Sequence, residues 1–123
     1  MFIGIIKSSK QTITSMTTPH LDIEQMRNAA AQATAMLRVL ANEDRLLLLC
    51  QLAQGEVCVG ELEELLGIRQ PTLSQQLGIL RTEDSVSTRR DGKKIYYQLG
   101  DSRVVALLAT LHGLYCPVPI PTR

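Results

Sequence analysis

Apolar residues recur at three- and four-residue steps from Ile23 to about Leu80, at two-residue steps after Glu83, and at helical steps again from about Ser102. That change of period constrains the fold most, because a stretch patterned for one element cannot bury its apolar face as the other. It predicts a mainly α chain with one small β-hairpin, in the order helix-helix-helix-helix-hairpin-helix and without internal repeats. Ile23, Met26, Ala30, Ala33, Leu37 and Leu40 mark one face of a first helix that ends near Leu40. Its narrow stripe of small and apolar residues suits a partner chain. Asn42 is a good N-cap for a second helix, and Glu43 and Asp44 stand in the first turn, where the helix dipole favours negative charge. Leu46, Leu49, Cys50 and Ala53 are expected to form its buried face, and Gly55 to stop it. Cys58 opens a third helix, at a position where a capping serine is usual, with Leu62, Leu65 and Leu66 apolar and Gly67 as its C-terminal signal. A fourth opens at Gln70-Pro71, with proline at the first helical position, where its missing N–H costs nothing. Leu73, Leu77 and Leu80 face inward.

Val86-Ser87-Thr88-Arg89 and Ile95-Tyr96-Tyr97-Gln98-Leu99 are short strands flanking Arg90-Asp91-Gly92-Lys93, and Asp-Gly between two such runs signals a hairpin. A last helix from about Ser102 to Cys116 carries Val105, Leu108, Leu111, Leu114 and Tyr115, and Pro117, Pro119 and Pro121 prevent its continuation. Residues 1–17 show no sustained period and are expected to form a flexible arm, within which Met16 offers an alternative start. Residues 18–116 form the folded domain and 117–123 a Pro-rich tail.

At 123 residues, 45% hydrophobic and 20% charged, the chain can bury a core without staples and is not disordered. Apolar runs such as Leu46 to Cys50 are far too short to cross a membrane, and Phe2-Ile3-Gly4-Ile5-Ile6 is too short for a secretory leader. The expected location is the cytoplasm, where three cysteines are free, metal-binding or redox-active rather than a disulfide framework. The net charge of +1 hides a split: residues 18–66 carry three arginines against eight carboxylates, and residues 67–103 carry seven cations against four. A polyanion feels the local field and not the sum, so near-neutrality does not exclude nucleic acid.

Two short helices joined by Gly67-Ile68-Arg69 read as a helix-turn-helix. Opposite Leu73 and Leu77 the second exposes Gln70, Thr72, Ser74, Gln75 and Gln76, hydroxyls and carboxamides able to bond base edges in a major groove. Arg89, Arg90, Lys93 and Lys94 on the hairpin, with Arg81 at the end of the reading helix, suit phosphates or a minor groove. The plain alternative is a solvated helix beside a charged hairpin.

Val39-Leu40-Ala41-Asn42-Glu43-Asp44-Arg45-Leu46, Gly60-Glu61-Leu62, Gln70-Pro71-Thr72-Leu73-Ser74-Gln75-Gln76-Leu77 and the wing Arg89-Arg90-Asp91-Gly92-Lys93-Lys94-Ile95-Tyr96-Tyr97 together resemble the ArsR/SmtB family of winged helix-turn-helix repressors, over roughly residues 22–116. The resemblance implies a homodimer, paired mainly through the first and last helices, that occupies a pseudo-palindromic operator and leaves when an effector binds. The family usually has glycine and then an apolar residue after the recognition helix, where this chain has Asp84 and Ser85. Asp tolerates a left-handed C-cap, but the missing apolar residue predicts a loosened helix-to-wing joint.

The family's arsenic-sensing pattern needs two cysteines separated by one residue, and here Cys58-Val59-Gly60 has glycine at the second place. Its zinc pattern on the last helix needs an Asp-x-His pair, where this chain has Asp101-Ser102-Arg103 and a solitary His112. Cys50 and Cys116 are instead similar to the pair of the sulfide- and persulfide-sensing branch, the BigR/SqrR-like repressors. That similarity implies a redox-sensing pair that persulfide or oxidant links by a disulfide or polysulfide bridge, on helical faces expected to be buried. Cysteine is also a common small core residue, which is the plain reading of Cys50. Cys58 is expected to be a spectator. His112, four residues before Cys116, is expected to ease its ionisation, or else to be an ordinary solvated or interface histidine. No cofactor or resident metal is expected. The alternatives are a metal(loid)-responsive repressor or metal-binding protein using Cys58 and His112, and a small redox enzyme. The enzyme is disfavoured because the chain has no C-x-x-C, no nucleotide-binding glycine loop and no paired acid/base carboxylates.

Overall fold

The computed structural model describes residues 22–116, so the expectations for the arm and the Pro-rich tail lie outside it. The elements are α1 (Ile23–Leu40), α2 (Glu43–Leu52), β1 (Val57–Cys58), α3 (Val59–Leu66), α4 (Thr72–Thr82), β2 (Val86–Asp91), β3 (Lys94–Leu99) and α5 (Ser102–Tyr115). Mainly α with a β wing, this is the expected order with one strand added. The first part of α1, up to Thr34, is a unit by itself. It begins with a reciprocal cap in which the Gln25 N–H donates to Asp22 Oδ1 at 2.7 Å and the Asp22 N–H to Gln25 Oε1 at 3.3 Å. Ile23 and Met26 are exposed there.

Residues from Ala35 onward form the second unit. Its core is built on leucines: Leu48 and Leu49 from α2, Leu62 from α3, and Leu73, Leu77 and Leu80 from α4 are all buried. Removing one of these to alanine would cost about 2–5 kcal/mol. The buried face of α2 differs from the expected one. Leu48, Leu49 and Leu52 are buried, Leu46 is half-buried, and Cys50 and Ala53 are exposed. The unbroken run Leu46–Cys50 carries no phase of its own, so contact with α3 and α4 chooses the face. Ala53 caps α2 from outside it.

Local chemistry sets most boundaries. Asn42 Oδ1 accepts from the Arg45 N–H at 3.0 Å, Gly67 ends α3 in the left-handed region at φ 70°, and Asp101 caps α5 by accepting from the Arg103 N–H. Pro71 stands one residue before α4 rather than inside it: its carbonyl accepts from the Gln75 N–H, and Thr72 is the first helical residue.

The wing is a three-stranded antiparallel sheet in the order β1-β3-β2. Asp91 pairs with Lys94, so the turn is only Gly92-Lys93, with Gly92 at φ 64°, and both strands run longer than expected. The strand unforeseen from sequence, β1, uses the other edge of β3: Val57 pairs with Tyr97 and Cys58 with Tyr96. The helix-to-wing joint is closed, against expectation. Asp84 takes the left-handed conformation, at φ 60°, and Ser85 is buried with both backbone groups used. Its N–H donates to the Leu80 carbonyl and its carbonyl accepts from the Gly100 N–H, both at 2.9 Å. Backbone pairing does here what an apolar side chain would otherwise do.

Candidate functional site

The reading helix is held from behind by a residue that sequence reasoning missed. Arg45, half-buried in the first turn of α2, donates from Nε to the Val39 carbonyl at 2.7 Å and from Nη2 to the Arg38 carbonyl at 3.0 Å. Its Nη1 donates to Gln76 Oε1 at 2.9 Å. One guanidinium thus caps the C-terminal end of α1 and reaches α4. The link spans 31 residues of chain, which no local pattern reveals.

Gln70, just before α4, is exposed, as are Ser74 and Gln75 on the helix, while Thr72 and Gln76 are half-buried. Gln70 Oε1 accepts from Ser74 Oγ at 2.6 Å and from the Ser74 N–H at 3.2 Å, closing the N-terminal turn and leaving the Gln70 amide N–H groups as donors. Gln76 has its carbonyl oxygen occupied by Arg45, whereas Gln75 makes no side-chain hydrogen bond among the described residues. Arg81 is exposed in the last turn of α4. The structure therefore gathers Thr72, Ser74, Gln75 and Gln76 on one short helix, with Gln70 two residues before its start and Gln76 the most constrained.

The wing cations divide. Arg90, Lys93 and Lys94 are exposed and make no ion pair among the described residues. Arg89 is instead turned back on Glu56, with Nε to Oε2 at 2.7 Å and Nη2 to Oε1 at 2.8 Å, while its guanidinium lies 4.6 Å from the centre of the Tyr96 ring. The hydrogen bonds from Arg89, and then its charge, hold the Glu56 carboxyl below the ordinary carboxylate range. In the sequence Glu56 was only one charge among eight, and Tyr96 only a strand residue.

All three cysteines are free; Cys50 and Cys116 are exposed and Cys58 is buried. The expectation that Cys50 and Cys116 lie on buried helical faces is thus overturned, because the leucines of α2 take the core side and Cys116 stands just past α5 with φ −92° and ψ 132°. Partial burial, and then the charge of a Cys116 thiolate, push the Cys50 thiol up from its ordinary value. Cys58 caps α3: its Sγ and its N–H both point to Glu61 Oε1, each at 3.4 Å. His112 is half-buried, and its carbonyl accepts from the Cys116 N–H at 3.0 Å. Among the described residues no three His, Cys, Asp or Glu side chains gather as a metal site, and no helix is long and apolar enough to cross a membrane.

A helix-turn-helix followed by a basic β wing defines a winged-helix, DNA-binding regulator. Residues 42–88 match the bacterial regulatory protein family arsR. The chain is 44% identical over 100 residues to the biofilm growth-associated repressor of Xylella fastidiosa, covering 81% of this chain and 88% of that protein. Its fold matches the crystal structure of the transcriptional repressor BigR from Xylella fastidiosa with TM-score 0.73 at 42% identity, over 80% of this chain and all of that one. It also matches reduced HlyU from Vibrio cholerae N16961 with TM-score 0.73 at 39% identity, over 76% of this chain and 99% of that one. The chain belongs to the arsR family and is a transcriptional regulator, not an enzyme.

Proposed function

We propose that the chain is a cytoplasmic transcriptional repressor whose hold on DNA is relieved when reactive sulfur species or oxidants link Cys50 to Cys116. What supports the switch is that both thiols are free and exposed, one on α2 and one just past the end of α5, and that the charge of Cys116 helps to raise the Cys50 thiol. A 44% identical relative named as a repressor supports the direction of regulation. The repressor works as a homodimer on a pseudo-palindromic operator. Leu37 on α1 and, on α5, Val105, Leu114 and Tyr115 leave apolar surface exposed for the partner. Gln70, Thr72, Ser74 and Gln75 read base edges, and Arg81, Arg90, Lys93 and Lys94 hold phosphate.

With a persulfide the step balances without any other oxidant. The Cys116 thiolate attacks the outer sulfur, the S–S bond breaks, and a thiolate leaves. Cys50 then attacks the inner sulfur of the Cys116 persulfide, forming the Cys50–Cys116 disulfide and expelling hydrosulfide. A further sulfane sulfur lengthens the bridge to a polysulfide. Either bridge ties α2 to the end of α5 and alters the spacing of the two reading helices in the dimer, to which operator binding is sensitive.

The test is intact mass after treatment with persulfide or peroxide, paired with operator binding, for wild type, Cys50→Ser and Cys116→Ser. The bridge and the release of DNA are expected in wild type alone. Release that survives in either serine variant contradicts the two-cysteine switch.

A further inference from the structure

Register brings three residues into one row across the wing: Arg89 of β2 faces Tyr96 of β3, and Tyr96 faces Cys58 of β1. Glu56 precedes Cys58 by two positions and so lies on the same side of the extended backbone. The Arg89 guanidinium lies over the Tyr96 ring and reaches Glu56 with two parallel hydrogen bonds. The contact thus crosses the whole sheet. It ends on the segment leading into Cys58, which caps α3, the first helix of the helix-turn-helix. We propose that Arg89 is not a phosphate ligand but a positioning residue, a strut that with Glu56 and Tyr96 sets the angle at which the wing carries Arg90, Lys93 and Lys94 toward DNA.

Three features favour a strut over a stored phosphate contact. The Nε–Nη2 edge of the guanidinium is already engaged side-on by one carboxylate, the geometry in which arginine cannot be replaced by a point charge. The ring beneath restricts rotation of the guanidinium. The Gly92-Lys93 turn, with Lys94 beside it, already carries unpaired cations farther out, where a wing meets a backbone.

This inference rests on the DNA-binding reading, and the experiment separates the two. A duplex selected by the wild-type protein from a random-sequence pool is titrated at several salt concentrations with wild type, Glu56→Gln and Arg89→Lys. A strut predicts that both variants bind about threefold more weakly per wing, about tenfold per dimer, with the salt slope unchanged. A phosphate ligand masked by Glu56 predicts the opposite for Glu56→Gln: tighter binding and a slope steeper by about 0.9 per wing. That result would overturn the strut, as would an Arg89→Lys variant that binds like wild type. Amide hydrogen exchange at Arg89 and Tyr96, which face each other in the ladder, should be faster in the DNA-free Glu56→Gln protein, and unchanged exchange overturns the strut even if no duplex is selected. Failure to select any duplex refutes the DNA-binding reading instead.

Discussion

Replacing Arg45 by alanine removes one side chain and releases three acceptors at once. The carbonyls of Arg38 and Val39 and the carboxamide of Gln76 all lose a charged donor, at 3.0, 2.7 and 2.9 Å respectively. A buried hydrogen bond to a charged group contributes about 1.5–3 kcal/mol. Arg45 is only half-buried, and the Arg38 carbonyl keeps a second donor in the Ala41 N–H at 3.4 Å, so the three bonds do not add in full. Water can reach the freed carbonyls, which places the net loss at about 2–3 kcal/mol. For a domain of this size that lowers Tm by roughly 10 °C, measured at fixed protein concentration because assembly contributes to apparent stability. Arg45→Lys should recover less than half of the loss, since an ammonium cannot address three acceptors in a plane. Thermal and urea unfolding of wild type, Arg45→Ala, Arg45→Lys, Gln76→Ala and the Arg45/Gln76 double variant give the stability and the coupling. A loss below about 0.5 kcal/mol for Arg45→Ala, or additive effects of Arg45 and Gln76, would refute the reasoning.

Other consequences follow from the joint, the thiols and the strut. At Gly100 a Cβ would come within 3.0 Å of the Val86 carbonyl carbon and 3.2 Å of the Asp84 carbonyl oxygen, both backbone, so Gly100→Ala should destabilise the chain by about 1–3 kcal/mol in urea unfolding. Because burial leads and the Cys116 charge follows in raising Cys50, alkylation of Cys50 should need a higher pH than an ordinary thiol. In Cys116→Ser that profile should move down only part of the way, and an unmoved profile would mean the two groups do not interact. The Glu56 carboxyl is depressed by Arg89, so its contribution is present above the ordinary carboxylate value of 4.5 and lost as pH falls through the lower folded value. Wing amide exchange should therefore quicken in that acid range beyond the intrinsic pH dependence in wild type but not in Glu56→Gln.

What was legible in the sequence was what neighbouring residues decide. Asn42 before two acidic residues, Gly67 after a leucine pair, and Asp91-Gly92 between two alternating runs each announce a boundary, because a cap or a tight turn is built from residues a few positions apart. The exposed polar face of α4 was legible for the same reason, since Leu73, Leu77 and Leu80 leave only one side free. The phase of α2 was not, because in five consecutive apolar residues any face looks buried until a neighbour is packed against it. Nor was β1, whose two residues, Val57 and Cys58, have no period and become a strand only where β3 offers an edge. The least legible parts were the long-range polar links, Arg45 to Gln76 and Arg89 to Glu56. Each depends on a fold already formed, and each changes what a site residue is free to do. Ser85 teaches the same lesson in reverse: a missing apolar side chain looked like a weak joint, yet two backbone hydrogen bonds close it.

The central claim is that the thiol state of Cys50 and Cys116 controls the hold on DNA. One sample of wild-type protein, split into fully reduced and persulfide-treated halves whose masses are verified, can be titrated by fluorescence anisotropy against one selected duplex at one salt concentration. The bridged half should bind at least about tenfold more weakly, the scale of a typical coupling between sites, and dithiothreitol should restore it. Equal affinity in the two halves, with the bridge proven by mass, would contradict the account.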